Sequence, residues 1–250
     1  MMSRESLTRG LFAAALVLTV LTVSAAAQDF QKSYPVGAGA TIQIKNVSGD
    51  VNIRGYDGEV PTVAAYREGR DREMVEIVDT SDAGAVRLGV RYPRNCNCDA
   101  SVRFEVRLPR NVSYRVGPVS TASGNVEVSG VSGEVQVSTA SGNVAIKNVG
   151  GGSVRASTAS GNVEAEITRT DGASNLNLST ASGDVNVKLP GSADATVSLS
   201  TASGQVSTDF PIEVHRNEHG PGGRATGRLG SGAAQIRLSS ASGNVNLSRL

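Results

Sequence analysis

Ser120-Thr121-Ala122-Ser123-Gly124-Asn125-Val126 decides the fold, because the chain says it again and again. The stretch returns at residues 138–144, 157–163, 179–185 (Asp184 for Asn), 200–206 (Gln205) and 239–245 (Ser240 for Thr). Its glycines Gly124, Gly142, Gly161, Gly183, Gly204 and Gly243 are separated by 18, 19, 22, 21 and 39 residues, so the last interval holds an insertion. Self-similarity at such a period is the sequence sign of units that stack to complete one another's core.

The residues around the motif alternate. Two and four places before each Thr or Ser stand apolar pairs such as Val135 and Val137, Leu176 and Leu178, or Ile236 and Leu238. Two and four places after each Gly stand Val126 and Val128, Val144 and Ile146, or Val245 and Leu247. Period-two alternation marks half-buried strands. Each unit therefore predicts two short strands around a Ser-Gly corner, and neither strand can bury its apolar face alone. The expected fold is all-β, a single-chain β-solenoid with two strands per coil and 18–22 residues per coil. The glycines are expected at the corners, where the backbone takes φ values that a Cβ resists. By parity the Thr column faces inward and closes hydrogen bonds at the corner together with the second Ser. Asn125, Asn143, Asn162 and Asn244 are expected to stack as a ladder. Glycine-rich stretches at residues 130–135 and 150–154 mark the opposite corner.

Outward from the repeats the pattern loosens. Residues 1–27 read as a secretory signal, with Arg4 and Arg9, an apolar run over residues 11–23, and Ala25-Ala26-Ala27 before Gln28. Thirteen apolar residues are short of the ~20 a membrane-spanning helix needs, so export to the periplasm, cell surface or medium is expected, without stable membrane insertion. Residues 28–119 form an irregular β-rich part, with strands expected near 41–45, 51–53, 60–67, 74–79, 85–92 and 102–108. Residues 120–250 hold the regular repeats, with 211–230 an inserted hairpin or loop projecting from them. The last strand, residues 244–248, is expected to expose an open edge that permits end-to-end self-association. Cys96 and Cys98 are a candidate disulfide at the limit of i, i+2 bridging; separate thiols, intermolecular pairing or a metal site are the alternatives, the last disfavoured because no His lies near.

Composition narrows the function classes. Without residues 1–27 the chain is formally neutral, which offers nucleic acid or an anionic membrane no basic face. His215 and His219 share the insertion, and no nucleophile motif accompanies them, so neither catalysis nor a metal or other cofactor is expected. The acidic residues are dispersed over outward columns rather than paired as in polysaccharide-cleaving enzymes. The candidate binding surface is instead a row of Ser120, Ser138, Ser157, Ser179, Ser200 and Ser239, flanked by Gln136, Arg155, Asn177 and Arg237. Such a row suits many weak hydrogen bonds to an extended polymer such as a surface glycan; the alternative is a structural envelope or stress-associated module whose partner is an envelope protein. An inward Thr column and the interspersed Arg and Gln argue against ice binding.

The corner motifs, the early copy Val47-Ser48-Gly49-Asp50-Val51 and the strand Val102-Arg103-Phe104-Glu105-Val106-Arg107-Leu108-Pro109 together resemble the bacterial adhesin-like β-strand-repeat family, over about residues 30–250. That family comprises secreted or envelope domains of unknown function and is similar to the head domain of candidate autotransporter adhesins. The resemblance implies a β-solenoid at the cell envelope and brings no catalytic residues with it.

Overall fold

A computed structural model describes residues 29–169, 175–216 and 220–250. The expected signal segment, residues 1–27, and His219 lie outside these. The described chain is all-β apart from one 3-10 turn at Arg72–Met74. Its first part supplies β1 (Phe30–Ser33), β2 (Thr41–Lys45), β3 (Val51–Tyr56), β4 (Thr62–Glu68), β5 (Glu76–Asp79), β6 (Ala85–Arg91) and β7 (Ser101–Pro109). The repeats supply β8 (Ser113–Ser123), β9 (Val126–Ser129), β10 (Ser132–Ser141), β11 (Val144–Val149), β12 (Val154–Ser160) and β13 (Val163–Ile167). They continue with β14 (Asn175–Ser182), β15 (Val185–Leu189), β16 (Ala195–Ser203) and β17 (Val206–Thr208). A hairpin of β18 (Val214–Arg216) and β19 (Gly223–Leu229) precedes the last pair, β20 (Ala234–Ser242) and β21 (Val245–Arg249).

Two large mixed sheets result, ordered β1-β4-β7-β3-β9-β11-β13-β15-β21-β17 and β18-β19-β16-β20-β14-β12-β10-β8-β2-β6-β5. Each repeat gives its first strand to the second sheet and its next strand to the first. Like residues lie beside like: Val137 pairs with Ala156, Ala156 with Leu178, Leu178 with Leu238, and Leu238 with Leu199. Alternate residues of both sheets are buried, and these form one apolar cluster between the sheets. That alternation fixes the register, since a slip of one residue would turn every Val and Leu to water.

The corners explain the invariance of the motif within the chain. Gly142 has φ +147° and Gly161 +140°, and a Cβ on Gly161 would lie 2.1 Å from the Gly142 carbonyl oxygen of the adjacent layer. Only glycine lets the layers approach so closely. The buried hydroxyls then satisfy the corner carbonyls: Thr158 Oγ1 donates to Gly142 O at 2.9 Å, Thr180 Oγ1 to Gly161 O at 2.9 Å, and Ser240 Oγ to Gly183 O at 2.9 Å. The second Ser contributes its carbonyl: the Gly142 amide donates to Ser160 O, and the Gly161 amide to Ser182 O. The Asn ladder is built from side chain to backbone. Asn143 N donates to Asn125 Oδ1 at 2.9 Å, Asn162 N to Asn143 Oδ1 at 2.8 Å, and Asp184 N to Asn162 Oδ1 at 2.9 Å. Asn46 stands in the Thr column of the early copy, and its Nδ2 donates to Val102 O at 2.7 Å and Gly49 O at 2.9 Å.

Two expectations are corrected. First, the layers do not stack in chain order. The β20–β21 layer lies between β14–β15 and β16–β17, so the last strand has neighbours on both sides and is not an open edge. Residues 244–248 therefore offer no edge for end-to-end association. Second, the described part of the insertion does not project. β19 runs antiparallel along the outer side of β16, and Phe210, Ile212, Ala225 and Leu229 bury their side chains there. With that side of β16 taken, the returning chain pairs with the other side, which is why the last layer goes inside. The opposite end is organised likewise. The β2–β3 layer lies between β6–β7 and β8–β9, while β5 and β4 run antiparallel along β6 and β7.

Candidate functional site

Ser120, Ser138, Ser157, Ser179, Ser239 and Ser200 are direct cross-strand neighbours in that order, all half-buried on the outer side of the second sheet. Parity and strand pairing place them there without further help. Two residues on, an exposed alanine row (Ala122, Ala140, Ala159, Ala181, Ala241, Ala202) runs parallel to it. The two rows line a groove of about 1540 Å³. It is a shallow, open trough, in which methyl and hydroxymethyl groups lie beside longer neighbours.

Those neighbours are the flanking residues singled out in the sequence. Gln136, Arg155, Asn177 and Arg237 form their own exposed cross-strand row, and none of them lines the groove. In β8 this row is interrupted by a bulge: Val116 and Val119 pair with Val135 and Val137, so Gly117 and Pro118 oppose Gln136 alone. Arg155 is also engaged by Glu134, at 3.2 Å. The predicted polar face thus divides into a groove floor and a rim.

Sequence reasoning missed the alanine row and the ends of the groove. The alanines were legible as part of the motif, but their short side chains signal a trough only once the longer row beside them is placed. At one end Lys45 pairs with Ser120, and Asn46 lines the groove. At the other end Ser200 pairs with Arg224 and Arg224 with His215, so the serine row runs straight into the hairpin. His215, Arg216 and Arg224 line that end.

His215 Nε2 lies 3.9 Å from Glu213 Oε2, both largely exposed. Among the described residues no three metal-ligating side chains converge. Cys96 and Cys98 form a disulfide with Cα atoms 5.1 Å apart, and the left-handed residue of that loop is Asn95, at φ +58°. The strongest electrostatic perturbation is remote from the groove. Burial pushes the Asp79 carboxyl up, but hydrogen bonds from Lys32 (2.7 Å), Ser81 and Tyr34 (3.0 Å) outweigh it and hold Asp79 well below the usual carboxylate range. Burial, then the same bond to Asp79, raises the Tyr34 phenol well above its ordinary value. No described helix is long and apolar enough to cross a membrane.

The fold and the groove define a class: an all-β repeat protein of two long sheets with a small-residue trough along one of them. Within that class the chain belongs to the Toastrack DUF4097 family, whose profile matches residues 35–248. Among solved structures it is similar to a candidate cell adhesion protein from Clostridium sporogenes ATCC 15579, at 14% identity and TM-score 0.48 over 86% of this chain and 94% of that one. A candidate adhesin from Bacteroides fragilis NCTC 9343 aligns at 10% identity and TM-score 0.39, over 87% and 96%. A candidate lipid binding protein from Parabacteroides distasonis ATCC 8503 aligns at 8% identity and TM-score 0.27, over 88% and 96%. A search of curated proteins found no match.

Proposed function

We propose that the stacked layers form a β-solenoid, and that the chain is an exported, non-enzymatic binding protein of adhesin type that holds an extended surface glycan along the serine groove. The observation that carries this reading is the groove itself. It crosses six repeat layers, and each layer presents the same hydroxyl at the strand spacing, so a polymer with its own repeat meets equivalent partners along its length. Each hydrogen bond is weak, about 0.5–1.5 kcal/mol net, and affinity comes from their number. Among the described residues no carboxylate lines the groove, which supports binding rather than the paired-acid chemistry of glycoside hydrolysis.

The test is co-sedimentation of the chain with insoluble glycans, peptidoglycan and whole cells, beside a Ser157→Gln/Ser239→Gln variant whose longer side chains fill the trough. Binding that the variant loses supports the reading. Equal binding by both proteins, or capture of a protein partner without any glycan, refutes it. Export is tested separately, by recovering the chain from periplasm or medium with Gln28 at its amino terminus.

A further inference from the structure

The chain is formally close to neutral, at +1 overall, yet its groove is not. Among the described residues, His215, Arg216 and Arg224 are the ionisable ones that line it, and no Asp or Glu does. Arg216 and Arg224 are exposed and make no ion pair among the described residues, whereas many other arginines of the chain, Arg67, Arg103 and Arg155 among them, are engaged by carboxylates. Glu213 faces His215 but stays off the groove. Arg224 continues the serine row directly from Ser200, one strand spacing further, and Lys45 continues it at the far end from Ser120. A guanidinium with no carboxylate partner among the described residues, at the end of a hydroxyl-lined trough, is matched to a ligand carboxylate, which it can bind through two parallel N–H donors.

We propose that the polymer in the groove is acidic, a polyuronate-type glycan whose carboxylates are held at the hairpin end by Arg224 and Arg216 and whose hydroxyls follow the serine row. This rests on the glycan-binding reading above and names the substrate class. Ser120 to His215 spans eight neighbouring strands, roughly 34 Å at ~4.8 Å per strand, so an oligomer of several sugars is needed to reach both ends. Nucleic acid fits less well, because its phosphates demand cations along the whole length and its bases demand aromatic platforms, and the groove has neither. An acidic peptide fits less well because the groove crosses a sheet face, and the strand edge it reaches at the hairpin end, that of β18, is only 3 residues long, too short to hold an added strand along the groove.

The experiment is calorimetric titration of the full chain with oligogalacturonate and oligoalginate, and with a neutral glucan oligomer of equal length. It is repeated with Arg216→Gln/Arg224→Gln and with Lys188→Gln, an exposed cation on the other sheet. The acidic oligomers are expected to bind, with affinity reduced about tenfold or more in the arginine variant and unchanged in Lys188→Gln. Binding is expected to weaken as salt rises from about 0.05 to 0.5 M. Equal affinity for the neutral oligomer, with no effect of the arginine substitutions, would overturn the acidic proposal and leave the glycan groove standing. No binding of any glycan by protein with an intact far-UV spectrum would overturn both. Tighter binding of a single-stranded oligonucleotide or a polyglutamate peptide would overturn both in favour of that polymer.

Discussion

Replacing Gly161 by alanine tests the corner reasoning at one atom. The new Cβ would sit 2.1 Å from the Gly142 carbonyl oxygen, far inside contact distance, at a backbone φ of +140° that side chains rarely adopt. Backbone of that kind costs about 1–3 kcal/mol for a residue with a side chain. The clash adds to it, because it is with backbone and is relieved only by separating the layers. Separation breaks the Thr158 hydroxyl bond to Gly142 O and the Asn162 amide bond to Asn143 Oδ1, at 2.9 and 2.8 Å, worth about 1 kcal/mol each. The expected loss is about 4 kcal/mol, read as a fall in the urea midpoint, with faster hydrogen exchange at Gly142 and Asn162. Gly191→Ala is the control, since nothing lies within 4 Å of its Cβ position, and it is expected to change stability by less than about 0.5 kcal/mol. Indistinguishable midpoints for the two variants would refute the claim that layer approach, rather than turn propensity, demands the glycine.

Thr158→Val keeps the volume and removes the donor to Gly142 O, so a loss of about 1–2 kcal/mol is expected in chemical denaturation, with Thr158→Ser near wild type as Ser240 already is in its own layer. Asp79 is held below its unfolded value, so its contribution is present at neutral pH and is lost as pH falls from about 4 toward the folded value. Asp79→Asn is therefore expected to flatten stability over that acid range and, because the Asp79 carboxylate also raises the Tyr34 phenol, to soften the loss of stability above about pH 10, as followed by thermal unfolding at stepped pH. Reducing Cys96–Cys98 opens a loop of sequence separation 2 outside the strands, and the unfolding midpoint is expected to move by less than about 1 kcal/mol equivalent while thiol titration shows two new thiols.

The local grammar of this protein was legible and its global order was not. Inward Val and Leu, the buried Thr column, the corner glycines and the Asn ladder all follow from parity within one repeat, which physics constrains residue by residue. The order of layers does not, because near-identical repeats make near-identical neighbours: Ile236 and Leu238 fit beside Leu176 and Leu178 as well as beside Val197 and Leu199. What breaks the degeneracy lies outside the repeat, in Phe210, Ile212, Ala225 and Leu229, whose burial seats the hairpin on β16. The same holds for the candidate site. The serine row was readable from the motif, but Arg224 joins it by antiparallel pairing from β19, a segment with no repeat to announce it.

The placement of β20–β21 inside the stack changes how the molecule carries a pull. Were the last strand at the rim, tension on it would peel its hydrogen bonds one at a time. Because β21 is flanked by β15 and β17, and β20 by β14 and β16, a load entering there must slide a layer past two parallel neighbours at once. The β2–β3 layer is flanked in the same way at the other end. A tether attached near either of these layers therefore meets the protein in shear, the direction in which a stack of short strands resists force best.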